Sequence, residues 1–269
     1  MEEEKILLCW RAKTTFTSCF LPGWRRKCES KLPNLPLLTL PVRQKEEKMI
    51  EISIDKGLKQ LWSKAVLGCI QCKVTVKESS GELLEELDAQ GRRIQETYEK
   101  PADLPKRDKI ADTRQAYKAF GKEPSRYRSS AEAMCRRLIQ GKGLYHINNV
   151  VECNNLFSIR EGYSLGAYDV SRIEGPVVWK VAEEGSHYQG IGKDQINVEF
   201  LPVFFDEKGP FGNPTSDSVR TRITEDTSEL LMVIFGFSGS MDMEEDVKKL
   251  CDLLEKYCSG QEFETMIIQ

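Results

Sequence analysis

The chain has 269 residues, 40% of them apolar and 30% charged, with a formal net charge of -3, the profile of a globular protein with a substantial core. Its slight negative charge excludes wholesale wrapping of nucleic acid, so any such binding must use a local basic patch. No apolar run approaches the roughly 20 residues that span a bilayer, and the short Ile6-Leu7-Leu8-Cys9-Trp10 run follows glutamates instead of a basic stretch, so neither a membrane nor a secretory route is expected and the location reads as cytoplasmic.

Residues 1–48 are unlike the rest: four of the eleven prolines lie between Pro22 and Pro41 with a basic excess and no sustained periodicity. This segment is expected to be disordered or a non-native extension ahead of Met49. Ile50, Ile52 and Ile54 then alternate as a strand, a short helix follows around Leu58 to Val66, and a strand near Ile70 to Val76. Cys69-Ile70-Gln71-Cys72 has the spacing of a metal or redox pair. In a strand the two thiols would face opposite sides, and no second pair follows, so no metal and no cofactor is expected. The nine cysteines read instead as small apolar residues in a reducing compartment.

Ser79-Ser80-Gly81-Glu82 opens a helix whose buried stripe is Leu83, Leu84 and Leu87, and Pro101 to Lys109 reads as a charged connector. In Pro124-Ser125-Arg126-Tyr127-Arg128-Ser129-Ser130-Ala131-Glu132, Ser129 and Glu132 have capping-box spacing for a helix bearing Ala131, Met134, Cys135 and Leu138, stopped by Gly141. The strongest local basic excess lies between Lys118 and Lys142. Arg136 and Arg137 read as a solvated helix face. Arg126 and Arg128, in a loop before a helix N-terminus, suit a phosphate or carboxylate.

His146 to Gly162 predicts a helix with Val150, Cys153 and Phe157 at i, i+3 and i+7 and a left-handed stop at Gly162. At about 100° per residue, Asn154 and Asn155 fall on or beside the apolar face. Such amides either bond neighbouring loop backbone or line a pocket that holds a polar ligand. Val177 to Val181, Val198 to Phe205 and Glu229 to Phe235 read as strands, Gly190-Ile191-Gly192-Lys193 as a hairpin turn, and Asn213 to Ser218 as a polar loop. Val247, Leu250, Cys251, Leu254 and Cys258 form the buried face of a closing helix. Neither His146 nor His187 stands in a triad-like arrangement.

Tyr117, Phe120-Gly121, Pro124 to Ser130, Arg136-Arg137, Ile147 to Glu152, Asn155, Leu165-Gly166-Ala167-Tyr168-Asp169 and Gly175, in this order, resemble the tRNA-editing domain of the bacterial phenylalanyl-tRNA synthetase beta chain. They are most similar to free-standing proteins built from that domain, the third and fourth modules of the beta chain. The resemblance implies an α+β fold with a layered β-sandwich core and flanking helices. It places one domain over 49–260, with its matching core about 117–240 and a tail at 261–269. It further implies binding of the aminoacylated acceptor end of tRNA and hydrolysis, in trans, of a mischarged ester. The alternative is a non-catalytic module that binds tRNA or an amino acid; a complete synthetase is excluded because the aminoacylation domain is missing.

By the same resemblance, Asn154 and Asn155 orient the water or ester, the first position departing from the synthetase's Thr-Asn pair. Arg126, Arg128, Tyr168, Asp169, Asp217, Ser218 and Thr221 bind the substrate's phosphates and amino acid. Where the synthetase reads His-Ala-Phe-Asp, this sequence has Gly166, Ala167, Tyr168 and Asp169, so a pocket histidine is replaced. The partners implied are tRNA and its amino-acid moiety; the oligomeric state is not indicated.

Overall fold

The computed structural model describes residues 49–192 and 194–269, which belong to one compact unit; the extension expected over 1–48 lies outside them, as does Lys193. Alternating isoleucines form β1 (Ile52–Ile54). Asp55 then caps α1 (Lys56–Leu61) by accepting the Gly57 and Leu58 amides. After β2 (Val66–Lys73), the Ser80 hydroxyl accepts the Leu83 amide to start α2 (Gly81–Thr97). A 3-10 turn at Pro101–Lys106 leads into α3 (Asp108–Ala119), α4 (Ser130–Ile139) and α5 (Asn149–Glu161). The strands that follow are β3 (Ser164–Asp169), β4 (Val177–Val181), β5 (His187–Gln189), β6 (Gln195–Asn197), β7 (Pro202–Asp206), β8 (Gly209–Asn213), β9 (Ser216–Asp217) and β10 (Glu229–Gly236). The chain closes with α6 (Met243–Cys258) and β11 (Gln261–Ile268).

The architecture is mixed α+β and layered. A five-stranded sheet of order β1-β4-β7-β8-β9 lies against a four-stranded sheet of order β11-β2-β10-β3, and β5 and β6 form a separate hairpin. The period-two side-chain alternation of β10 decides which layer each residue serves. Leu231, Val233 and Phe235 enter the core shared with Trp179, Phe204 and Phe211 of the first sheet, whereas Leu230, Met232 and Ile234 enter the core under the helices. β2 does the same, with Leu67 and Cys69 on the sheet side and Ile70 and Cys72 on the helix side. Cys69 and Cys72 thus face opposite layers. Burial on both faces explains why Leu230 to Phe235 of β10 are uninterrupted apolar residues, whereas in β2 the buried Gln71 breaks the run and bonds the Ile50 amide and Glu229. Gly68 lets α6 descend onto β2: a Cβ there would stand 2.6 Å from Met243 Sδ and 2.8 Å from Val247.

Several expectations need correction. The first helix ends at Leu61, before Val66, because Asp55 starts it early, and β2 correspondingly begins at Val66 and stops at Lys73. Residues 261–269 are not a tail: β11 pairs antiparallel with β2 and completes the sheet's edge. The connector hides a 3-10 turn and the start of α3, whose weak amphipathic pattern concealed it. Ser129 caps α4 only through its backbone position. Its Oγ has no partner, and Glu132, fully buried, instead accepts from Arg114 and Arg136. Among the described residues no helix is long and apolar enough to cross a membrane.

Candidate functional site

The N-terminal turn of α5 builds the wall of the site. Asn148 caps the helix by accepting the Val151 amide at 2.9 Å. Asn149 is fully buried: its Nδ2 donates to the carbonyls of Thr75 (2.9 Å) and Tyr257 (3.0 Å), while its Oδ1 accepts the Lys77 amide at 3.0 Å. One side chain therefore ties α5 to α6 and to the segment after β2, which carries Lys77 and Glu78 to the cleft. Glu152 accepts the Ile147 amide at 2.8 Å and the Ser79 hydroxyl. Ile147 is held outward by this grip and stays 65% exposed at the mouth.

A turn further along α5, Val151 and Asn154 face a cleft of about 450 Å³. Its other walls come from Ala167 of β3, Ile191 of the β5–β6 turn, Asp217 of β9 and Arg222 to Glu225 of the loop before β10. Asn154 Oδ1 is buried without a partner, an unusual state for an amide oxygen. Asn155 is half-buried and lies outside the lining. The two amides adjacent in sequence thus separate in space.

Asp217 is half-buried at the cleft wall and accepts a hydrogen bond from the Tyr168 hydroxyl at 2.9 Å. Burial pushes its carboxyl up to about 7, against the opposing pull of the Tyr168 hydroxyl and the Ala167 and Asn213 amides. Tyr168 is fully buried and does not line the cleft. Its ring meets Phe204 and Phe211 edge-on. The hydroxyl end sits where a Cβ on Gly166 would come within 2.1 Å and one on Gly212 within 2.2 Å. Glycine at position 166 is therefore what makes room for the tyrosine hydroxyl.

Asp169, Ser218 and Thr221, expected to touch substrate, are buried within the scaffold. Asp169 accepts from Ser171 (2.6 Å) and from the Thr227 hydroxyl (2.9 Å). The Ser218 and Thr221 hydroxyls face each other at 3.2 Å, and the Thr221 carbonyl accepts the Asp169 amide. Arg220 adds a paired contact to Asp206 at 2.8 and 2.9 Å. Burial raises the Asp206 carboxyl, but hydrogen bonds led by Arg220 hold it below its ordinary value. Together these groups fasten the loop that delivers Arg222 to Glu225 into the cleft.

Arg126 and Arg128 line a second cleft of about 410 Å³ with Tyr127, Asn197, Thr215 and Ser216. The neighbouring Lys122 is buried, with its ammonium 4.0 Å over the Tyr127 ring and 3.1 Å from Asn197 Oδ1. Consecutive residues of β9 join the two clefts, Ser216 facing the arginines and Asp217 facing Asn154. Tyr188 braces this partition by donating to the Ser216 carbonyl while accepting from Asn213.

Of the residues expected at the site, Asn154 and Asp217 line this cleft, together with Lys77, Glu78, Ile191, Arg222 and Glu225, which the sequence reading did not assign to it. These come from segments without local periodicity, and only the fold assembles them. The B3/4 domain, found in the phenylalanyl-tRNA synthetase beta chain, matches residues 112–258. Asn154, Asp217 and Arg222 lie inside the matched stretch, whereas Lys77 and Glu78 precede it. A solved N-terminal fragment of the phenylalanyl-tRNA synthetase beta-subunit from Pyrococcus horikoshii is similar over 82% of this chain at 14% identity and a TM-score of 0.41, and the chain spans 51% of that fragment. No curated protein matches the chain. With more than half of its length matched, the chain belongs to the B3/4 domain family.

Proposed function

We propose that this protein receives the aminoacylated acceptor end of a tRNA in the cytoplasm and hydrolyses the ester of a mischarged aminoacyl-tRNA in trans. The observation that supports this most directly is the pairing of clefts across β9. A chamber lined by aliphatic side chains, by the polar groups Asn154 and Asp217 and by the charged residues Lys77, Glu78, Arg222 and Glu225 adjoins one lined by Arg126 and Arg128. In this reading the aminoacyl group enters the first, and the terminal phosphates meet the two guanidinium groups of the second. Asn154 orients the ester or the attacking water, Asn155 supports that stretch of α5, and the ribose hydroxyl of the tRNA assists in place of a protein nucleophile. Water adds to the ester carbonyl, the carbonyl carbon to ribose oxygen bond breaks, and the proton lost by the water returns to the leaving hydroxyl.

A non-catalytic tRNA- or amino-acid-binding module is the second reading. It draws support from the lining of the Asn154 cleft, which contains no histidine or cysteine among the described residues. Purified protein incubated with tRNA mischarged with Tyr, Ser, Thr, Ala or non-protein amino acids separates the two. Turnover on at least one substrate, reduced about a hundredfold in a folded Asn154→Ala variant, supports the deacylase. Binding without turnover supports the module, and loss of both defeats the assignment.

A further inference from the structure

The Asn154 cleft contains acceptors that the protein leaves underused. Asn154 lines the cleft, and its Oδ1 has no donor within the protein. A carboxylate has about four lone-pair sites. The Tyr168 hydroxyl and the Ala167 and Asn213 amides take up part of the Asp217 capacity and leave acceptor capacity at the wall. A ligand that completes this pair must bring several N–H donors and a positive charge on one small group.

We infer that Asn154 and Asp217 form a receptor for a primary ammonium group, and that Tyr168 is the positioning residue that aims Asp217. The ligands selected are then aminoacyl derivatives with a free α-amino group, and N-acylated ones are rejected. This deepens the aminoacyl-ester reading above and rests on it for the identity of the ligand. An N-acyl group removes the charge and all but one of the donors, and it adds bulk where the partly buried carboxylate stands.

The slot around Tyr168 supports the positioning role. The hydroxyl fits only because both Gly166 and Gly212 lack a Cβ, and phenylalanines on two sides fix the ring. Without the hydroxyl, Asp217 would lose the donor that orients Oδ1 and favours its charged form. Lys77, Glu78, Arg222 and Glu225 share the cleft, and Tyr188 lies within electrostatic reach of Asp217. Lys77 and Arg222 carry only donors, so they offer the ammonium group no competing acceptor.

The test uses leucine methyl ester as probe, chosen for the Ile147, Val151, Ile191 and Ile223 walls, with N-acetyl-leucine methyl ester as control. Binding to the full chain is followed by NMR through the Asn154 side-chain amide and the Asp217 carboxyl carbon. The expected result is binding of the free-amine ester, no shift with the N-acetyl ester, and a loss of roughly tenfold or more in affinity in Tyr168→Phe. In the same variant the Asp217 titration moves to higher pH, which a merely structural tyrosine would not cause. Equal binding of the two esters, binding of neither, or an unmoved Asp217 titration in a folded Tyr168→Phe overturns the inference. Deacylation assays keep the two claims apart. Equal turnover of N-acetylated and free aminoacyl-tRNA defeats the ammonium receptor alone, whereas ester selectivity without any tRNA binding defeats the tRNA assignment alone.

Discussion

Asp217 shows how a single half-buried group couples stability to function. Its carboxyl stands near 7 in the folded chain against an ordinary 3.8, so between those values the unfolded chain ionises while the folded one stays protonated. Unfolding then releases a proton, and stability falls as pH rises through that window before levelling off above it. Asp217→Asn removes this penalty: its Tm should exceed that of the wild type by several degrees near about pH 8 and hardly differ near about pH 4. Equal gains at both values in thermal melts would show that the carboxyl is not held protonated. The Tyr168 slot makes a second, steric prediction. Gly166→Ala drives a Cβ against the Tyr168 hydroxyl at 2.1 Å and should cost about 1–3 kcal/mol. Tyr168→Phe in the same chain should return part of that loss, because it removes the nearest clashing atom. A double-mutant cycle in urea reads the coupling, and strictly additive costs would disprove the clash.

At the scale of elements, α5 is the piece whose placement decides the site, and Asn149 places it. Three hydrogen bonds run from this buried side chain to Thr75, Lys77 and Tyr257, joining α5, α6 and the segment after β2. Asn149→Ala should therefore cost about 2–4 kcal/mol, seen as a lower urea midpoint at unchanged slope, and should weaken ligand binding even though Asn149 touches no ligand. The helix itself was legible in the sequence: Val150, Cys153 and Phe157 are buried, Gly162 ends it with φ of 89°, and Asn148 caps it. The position of its amides was only half legible. Helical angle put Asn154 and Asn155 at the apolar edge, but the fully buried amide is Asn149, placed there by strands and helices remote in sequence. Period and caps are local signals. The hydrogen bonds to Thr75 and Tyr257 are not, and the resemblance that assigns Ser218 and Thr221 to the substrate carries no such signal either: their hydroxyls face one another.

Across the whole molecule, a net charge of -3 means that an RNA must be held by a few cations against an overall repulsion. The basic run between Lys118 and Lys142, prominent in sequence, is partly consumed by the fold. Arg136 pairs with buried Glu132, and Lys122 lies over Tyr127. Arg126 and Arg128 remain exposed along the second cleft. Each phosphate contact on a single strand contributes about 0.7 to the slope of log affinity against log salt. The double variant Arg126→Ala, Arg128→Ala should therefore flatten that slope by roughly 1.4 while lowering affinity for uncharged tRNA at low salt. Asp217→Asn, on the other side of β9, should leave the slope as it is, since its target is the aminoacyl group and no phosphate. Fluorescence anisotropy with labelled tRNA across a salt series measures both. A slope unchanged in the double variant would remove the phosphates from the second cleft and require a different path for the acceptor end.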